Sequence, residues 1–214
     1  MSDGHVHTAG QAHQPIAKDE HELTYFEKRV VALTNLLREK GIITIDEVRR
    51  AVEEMEARTP TLGAKVVARA WTDPAFKARL LGDAKAAVAE LGLSTDGINH
   101  LVVPENTESV HHVVVCTLCS CYPRPLLGEP PDWYKSAGYK NQIISNPRAA
   151  LKEMGVELDE KVEIRVLDST ADVRYLVLPR RPPGTEHMRE EQLAGLVTRD
   201  SMIGVAEALA PAPR

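Results

Sequence analysis

Three cysteines lie within six residues of this 214-residue chain, in the pattern Cys116-x-x-Cys119-x-Cys121, and the sequence contains no other cysteine. The apolar run Val113–Val115 directly precedes them, which predicts that the cluster occupies a turn after a buried strand. This spacing does not suit the scattered disulfides of a secreted scaffold, and one cysteine of three would be left over. Thiolates this close repel one another unless a cation lies among them, so the pattern predicts a metal site.

Two kinds of cysteine site explain the pattern poorly. Soft thiolates favour zinc, copper(I), iron or cobalt over magnesium or calcium. A structural zinc site needs a fourth ligand, which His111 or His112 could supply only if the preceding strand folded back. A redox-active Cys-x-x-Cys pair would leave Cys121 without a role.

A third interpretation uses the backbone of the cluster. The amide nitrogens of Ser120 and Cys121 would lie beside a metal held by the sulfurs of Cys119 and Cys121, with Cys116 as an axial ligand. Such binding needs a strongly Lewis-acidic ion and leaves the sixth octahedral position open. An open position favours catalysis over a structural role.

Composition limits the partners and the location of the protein. The chain has 26 basic and 31 acidic residues, a formal net charge of -5. Because this gives no bulk positive field, we expect neither a nucleic acid nor a membrane as partner. No run approaches the ~18 apolar residues of a membrane span, and the polar N-terminus lacks the apolar core of a secretion signal, so a cytoplasmic location is expected.

Apolar periodicity predicts an α+β fold, in which a helical N-terminal arm packs on a strand-containing core and the metal cluster occupies a loop after a strand. Helices are predicted at Leu23–Lys40, Ile45–Ala57, Pro147–Met154 and Glu190–Val197, with two or three further pieces in Leu62–Leu91. Strands are predicted at Leu101–Val103, Val110–Val115, Val162–Leu167 and Val173–Leu178, the last two as a hairpin.

The predicted organisation has four parts. They are a disordered histidine-containing arm (1–21), a helical N-terminal region (22–95), an α+β metal-binding catalytic region (96–205) and a flexible tail (206–214).

The cysteine pattern and its surroundings resemble the α subunit of nitrile hydratases, in particular the cobalt class, because Thr117 stands where the iron class has serine. The resemblance covers roughly residues 22 to 205. Other matching stretches are Glu105-Asn106-Thr107, Val110-His111, Leu127-Gly128, Pro130-Pro131-x-Trp133-Tyr134-Lys135, Glu163-Ile164-Arg165-Val166, Asp168-Ser169, Arg174-Tyr175, Pro182-x-Gly184-Thr185-Glu186 and Val197-Thr198-Arg199-Asp200-Ser201.

The resemblance implies one cobalt(III) ion per chain and a set of site residues. Cys116 would be the axial thiolate, Cys119 a sulfinate and Cys121 a sulfenate, with amide nitrogens of Ser120 and Cys121 as the remaining ligands. The sulfenate oxygen of Cys121 would act as nucleophile or base in hydrating a nitrile to an amide.

The same resemblance implies partners. An obligate β subunit would complete the active site, in an αβ heterodimer or a dimer of heterodimers, and an activator protein would insert cobalt. Five anionic ligands around a tripositive ion leave negative charge, so arginines from the partner are expected near it.

Arg124 departs from the pattern, since nitrile hydratases commonly have tryptophan at this place as an apolar wall for the substrate. The γ subunit of thiocyanate hydrolase, a relative with the same cobalt pattern, resembles this chain in having arginine there. A guanidinium beside a dry pocket favours an anion, although it could equally offset the charge of the cluster or reach solvent. The sequence therefore predicts nitrile hydration, with thiocyanate hydrolysis as the alternative and a non-catalytic metal carrier as a more remote one.

Overall fold

The computed structural model describes residues 22–118 and 121–212. The predicted histidine arm, residues 1–21, lies outside them, and so do Cys119 and Ser120. The chain divides after Arg50 into two compact units. In the part of the chain that is described, no helix is both long and apolar enough to cross a membrane.

The first unit contains helix α1 (Tyr25–Glu39) and the start of α2 (Ile45–Glu56), both within one or two residues of the predicted bounds. Thr24 begins α1 with a reciprocal cap: its hydroxyl accepts from the Glu27 amide at 3.3 Å, and the Glu27 carboxylate accepts from the Thr24 amide at 2.7 Å. Neither helix has a buried residue, so both expose their apolar side chains.

The second unit starts with three consecutive helices, α3 (Pro60–Thr72), α4 (Pro74–Gly82) and α5 (Ala84–Glu90), where two or three pieces are predicted. Aspartates separate them. The Asp73 carboxylate accepts hydrogen bonds from the first amides of α4, and that of Asp83 accepts from Ala86 in α5. Each aspartate satisfies amides that a new helix leaves unpaired, which favours a break over a continuous helix.

The strands form two parallel pairs. They are β1 (His100–Val102), β2 (Val110–Val115), β3 (Glu163–Asp168) and β4 (Val173–Tyr175). β1 pairs with β4, and β2 pairs with β3 in a register that sets Val110 opposite Glu163 and Val115 opposite Asp168.

The predicted hairpin between the last two strands is therefore wrong. At the end of β3, the Ser169 amide still donates to the Val115 carbonyl at 2.7 Å, so the chain stays with β2 to its last residue. Three residues later, the Asp172 carbonyl accepts from the His100 amide at 2.9 Å, and pairing with β1 begins. The short connection changes partner strands instead of reversing the chain.

The later helices are short. Those at Pro147 and Glu190 match the predictions, while the other four were not predicted. Their bounds are α6 (Arg124–Leu127), α7 (Asp132–Lys135), α8 (Ala137–Ser145), α9 (Pro147–Glu153), α10 (Glu190–Ala194) and α11 (Arg199–Ile203). The mixture of helices and short strands confirms the α+β class.

One hydrophobic core joins the helices and strands of the second unit. Helix α3 approaches its neighbours closely at Gly63, where an added Cβ would lie 2.8 Å from Leu127 Cδ2 and from Met202 Sδ. Because α6 and α11 press on this face, the chain that follows the cysteine cluster is held against a fixed helix.

Candidate metal centre and its cleft

The cysteines at both ends of the cluster are buried at the end of β2. Cys116 directly follows the strand and is 0% exposed, and Cys121 is 8% exposed. Both are thiols and neither belongs to a disulfide. The structure thus brings two buried sulfurs to the turn after a buried strand, as the sequence predicts.

The middle of the cluster is not described, so the predicted ligand roles of Cys119 and Ser120 stay predictions. Among the described residues, no group of three or more histidine, cysteine, aspartate or glutamate side chains is placed to hold a metal ion. The donor set that is visible, two water-shielded sulfurs, nevertheless fits a soft or borderline ion better than magnesium or calcium.

Asp168 fixes the first part of the turn. Its carboxylate accepts from the Thr117 amide at 2.9 Å and from the Thr117 hydroxyl at 2.6 Å. Asp168 ends β3 opposite Val115, so the strand pair itself places the carboxylate under the turn. Two hydrogen bonds to one carboxyl group make Thr117 a fixed point beside Cys116.

Two tyrosines hold the backbone on either side of the cluster. The Tyr134 hydroxyl of α7 donates to the Cys121 carbonyl at 3.0 Å, and the Tyr139 hydroxyl of α8 donates to the Val114 carbonyl at 2.6 Å. The two rings also lie 5.8 Å apart. The sequence assigns neither tyrosine a role; the only signal in it is that Tyr134 lies in a stretch that resembles the family.

Burial determines the protonation of these hydroxyls. It raises the pKa of Tyr134 far above the ordinary value, and the neighbouring Cys116 raises that pKa further. Burial likewise raises the pKa of Tyr139 and of Tyr122. The hydroxyls therefore remain protonated at neutral pH and can donate hydrogen bonds there.

Ser169 supplies a hydroxyl without a partner next to Cys116. It is 2% exposed and lies close enough to the Tyr134 hydroxyl to lower the pKa of that group, but its Oγ forms no hydrogen bond of good geometry with a described residue. Continuation of the β2–β3 register places it opposite Cys116. A buried hydroxyl without an acceptor is unfavourable by about 1–3 kcal/mol. A deprotonated Cys116 sulfur would provide that acceptor, so this surrounding fits a metal thiolate.

The histidines considered as zinc ligands have other partners. His111 and His112 are both buried, and both bond to the side chain of Asn106. The Nε2 of His111 lies 2.8 Å from the Gly204 carbonyl. Both ring nitrogens of His111 are thus engaged, which leaves this ring no ligand atom for a metal.

A cleft of about 340 Å³ opens beside Cys121. Its charged lining consists of Arg58, Arg124, Arg174 and Asp96. Of these side chains, the sequence assigns a role only to Arg124; Arg174 is marked there only as part of a stretch that resembles the family.

Arg124 begins α6 just after the cluster. Its guanidinium lies 3.4 Å from the Glu129 carboxylate, and both side chains are about half exposed. Gly128 closes α6 by donating its amide to the Arg124 carbonyl at 2.9 Å. Its φ of 70° and the direct approach of the Arg58 carbonyl exclude any Cβ there. This glycine therefore brings Arg58 and Arg124 to the same cleft.

The comparisons with known proteins agree on one family. The family model "Nitrile hydratase, alpha chain" matches residues 24–206. The α subunit of the low-molecular-weight cobalt-containing nitrile hydratase of Rhodococcus rhodochrous is 52% identical over 184 residues, covering 86% of this chain and 89% of that protein. The γ subunit of thiocyanate hydrolase from Thiobacillus thioparus is 40% identical over 197 residues, covering 86% of this chain and 81% of that protein.

The fold is similar to solved structures as well. A double mutant of the Fe-type nitrile hydratase from Comamonas testosteroni Ni1 superposes with a TM-score of 0.81 at 46% identity, covering 88% of this chain and 95% of that one. The matched proteins thus include a cobalt enzyme, an iron enzyme and a thiocyanate hydrolase.

Proposed function

Because this chain belongs to the family of nitrile hydratase α chains, we propose that it forms, together with a β subunit, the active site of a cobalt(III) enzyme that hydrates nitriles to amides. The observation that carries the proposal is the pair of buried thiols, Cys116 and Cys121, at the end of β2. They lie within the segment that the family model matches.

The proposed ligands are the sulfurs of Cys116, Cys119 and Cys121 and the amide nitrogens of Ser120 and Cys121. Cys119 would be a sulfinate and Cys121 a sulfenate. Support for cobalt comes from the similarity to the cobalt-containing enzyme of Rhodococcus rhodochrous and from Thr117, the residue of the cobalt class.

The residues of this chain would position and shield the reaction. Cobalt(III), when bound, supplies a Lewis acid that polarises a nitrile or acidifies water. The Cys121 sulfenate oxygen would serve as the nucleophile or base, and Tyr134 would fix its orientation through the Cys121 carbonyl. The buried tyrosines Tyr122, Tyr134 and Tyr139 keep water from the inner side of the cluster.

The β subunit is the partner that family membership implies, in an αβ heterodimer or a dimer of heterodimers. Helix α1 supports a large interface, because Phe26, Val30 and Leu33 are 72%, 64% and 58% exposed on one face. We propose that the β subunit covers this face, that an activator protein inserts the metal, and that the complex works in the cytoplasm.

Replacement of Cys116 by serine tests the proposal. In the complex purified after co-expression with its β subunit and activator, Cys116→Ser should abolish amide formation from nitriles. Metal analysis and peptide mass spectrometry should find cobalt, a Cys119 sulfinate and a Cys121 sulfenate in the unmodified complex. Full hydration by a Cys116→Ser complex that still holds cobalt would refute the assigned role.

Thiocyanate hydrolysis, to carbonyl sulfide and ammonia, is the second candidate. The observation that favours it is that Arg124 lines the cleft beside Cys121. Carbonyl sulfide from thiocyanate as the only product, with no nitrile hydrated, would establish this candidate instead. A complex with tight metal and neither activity would favour a metal carrier.

A further inference from the structure

The cleft beside Cys121 has an unbalanced charge. Three arginines line it against one aspartate, Asp96. Its volume of about 340 Å³ suits a small molecule of a few carbon atoms. A cleft that needed only to accept a neutral nitrile would gain nothing from several guanidinium groups, which are costly to bring together.

From this lining we propose that the cleft selects nitriles that carry a carboxylate, with the nitrile directed to the Cys121 side and the carboxylate to the arginines. The inference rests on the proposed hydration of nitriles and names its substrate class. Arg124 is the specificity-determining residue of the cleft, because it follows Cys121 by only three positions.

The exposure of Arg124 distinguishes a substrate contact from a counter-charge to the cluster. Its side chain is 48% exposed, whereas Cys121 is 8% exposed. A guanidinium that served to neutralise the buried centre would be buried with it. Within this chain Arg124 lies instead toward solvent, where a ligand that enters the cleft can reach it.

The present partner of Arg124 is easily replaced. The Glu129 side chain is 60% exposed and its ion pair with Arg124 spans 3.4 Å. Exposed pairs of this kind contribute no more than about 1 kcal/mol, while a carboxylate bound by two N–H groups of one guanidinium is held more strongly. A substrate carboxylate can therefore take the place of Glu129.

Contacts with the backbone position the other two arginines. The approach of Gly128 to the Arg58 carbonyl holds the segment of Arg58 against α6. The Arg174 guanidinium donates to the carbonyls of Thr170 and Val173. The Arg174 charge thus stays at the cleft whether or not a ligand is present, and the backbone of Arg58 is held beside it, so the cleft is partly organised for an anion before one binds.

Three substrates of similar size and different charge test the proposal on the purified complex: 3-cyanopropanoate, 3-cyanopropanamide and protonated 3-aminopropionitrile. The expected order of kcat/KM for nitrile hydration is anion, neutral, cation. Arg124→Gln should lower the ratio of kcat/KM for the anion to that for the neutral amide by about tenfold. Glu129→Gln and Asp96→Asn should raise that ratio, each by about threefold, because each removes a competing carboxylate.

Arg180 provides the matched control. Its side chain is 46% exposed and pairs with Glu207 at 3.5 Å, much as Arg124 pairs with Glu129, but it does not line the cleft. Arg180→Gln removes the same charge and should leave the substrate ratio unchanged. An equal loss in both arginine variants would assign the effect to net charge and overturn the proposal.

The remaining outcomes separate the inference from the function on which it rests. Hydration of the neutral nitrile as efficiently as the anion, with no change in Arg124→Gln or Glu129→Gln, would overturn the charge selection but leave nitrile hydration intact. Hydration of none of the three nitriles, with thiocyanate consumed, would overturn the proposed function and this inference with it.

Discussion

Acidification should destabilise this protein through the two histidines at the start of β2. His111 is neutral in the folded chain: its Nε2 donates to the Gly204 carbonyl at 2.8 Å, and its Nδ1 accepts from the Asn106 side-chain amide at 3.2 Å. A proton on Nδ1 would face the hydrogens of that amide. Burial lowers the pKa of His111 from its ordinary value of 6.5. Burial also lowers the pKa of His112, and the positive charge of Arg165 lowers it further.

The sign and size of the effect follow from these directions. Above pH 6.5 both histidines are neutral in the folded and unfolded chain, and the folded state has its full stability. Below pH 6.5 the unfolded chain binds protons that the folded chain does not, so the free energy of unfolding falls as the pH drops toward the folded pKa values. Each histidine contributes a slope of up to about 1.4 kcal/mol per pH unit in that window.

Urea titrations between pH 5 and pH 8 would measure this slope, and NMR spectra of the imidazole rings would assign it. His187→Gln is the control, because that side chain is exposed and remains in contact with water in both states. The explanation fails if the ring of His111 titrates at or above pH 6.5 in the folded protein, or if stability is flat from pH 7 to pH 5.5.

Three substitutions, with Gly155→Ala as the comparison for the first, should separate the parts of the structure that hold the cluster. Gly204→Ala should lower the free energy of unfolding by more than about 3 kcal/mol, because the φ of Gly204 is 85° and an added Cβ would collide with the His112 carbonyl. Gly155 has a φ of 91° but open space around it, so Gly155→Ala should lower the free energy of unfolding by only about 1 kcal/mol in the same urea titration. Tyr134→Phe should lower the free energy of unfolding by about 1–3 kcal/mol, since the Cys121 carbonyl loses its buried donor. Unchanged stability would show that this hydrogen bond does not stabilise the fold. Ser169→Ala should raise the free energy of unfolding of the metal-free protein by up to about 3 kcal/mol, because it removes a buried hydroxyl without a partner. It should also shift the sulfur-to-metal charge-transfer band of the loaded complex, and a band at the same energy would show that the hydroxyl does not contact a metal-bound sulfur.

Local patterns in the sequence predict the elements of this fold better than their pairing. Apolar spacing finds α1 and α2 to within two residues, and the run Val113–Val115 correctly places a buried strand before the cysteines. The partner of β3 is not found, because a short turn-like connection is equally compatible with a hairpin and with a change of sheet. That choice depends on two backbone hydrogen bonds, from Ser169 to Val115 and from His100 to Asp172, which join segments far apart in the chain.

The same limit applies to the site. The cysteine spacing and Arg124 are local features, and both are visible in the sequence. Arg58 is not, because it reaches the cleft only through the approach of its carbonyl to Gly128, seventy residues further along the chain. Tyr134 likewise acts through a single long-range hydrogen bond to the Cys121 carbonyl.

The two sides of the cluster are built for different purposes, which makes stability and substrate choice separable. On the inner side, Tyr134, Tyr139 and Asp168 fix the backbone around Cys116 and Cys121 with hydrogen bonds of 2.6 to 3.0 Å. On the outer side, Arg124 rests on a single exposed ion pair. A substitution on the inner side should therefore reduce stability and metal retention together. Its effect on activity should be the same for every substrate. A substitution at Arg124 should change the choice between charged and neutral substrates without unfolding the protein, because surface pairs of this kind contribute so little to folding.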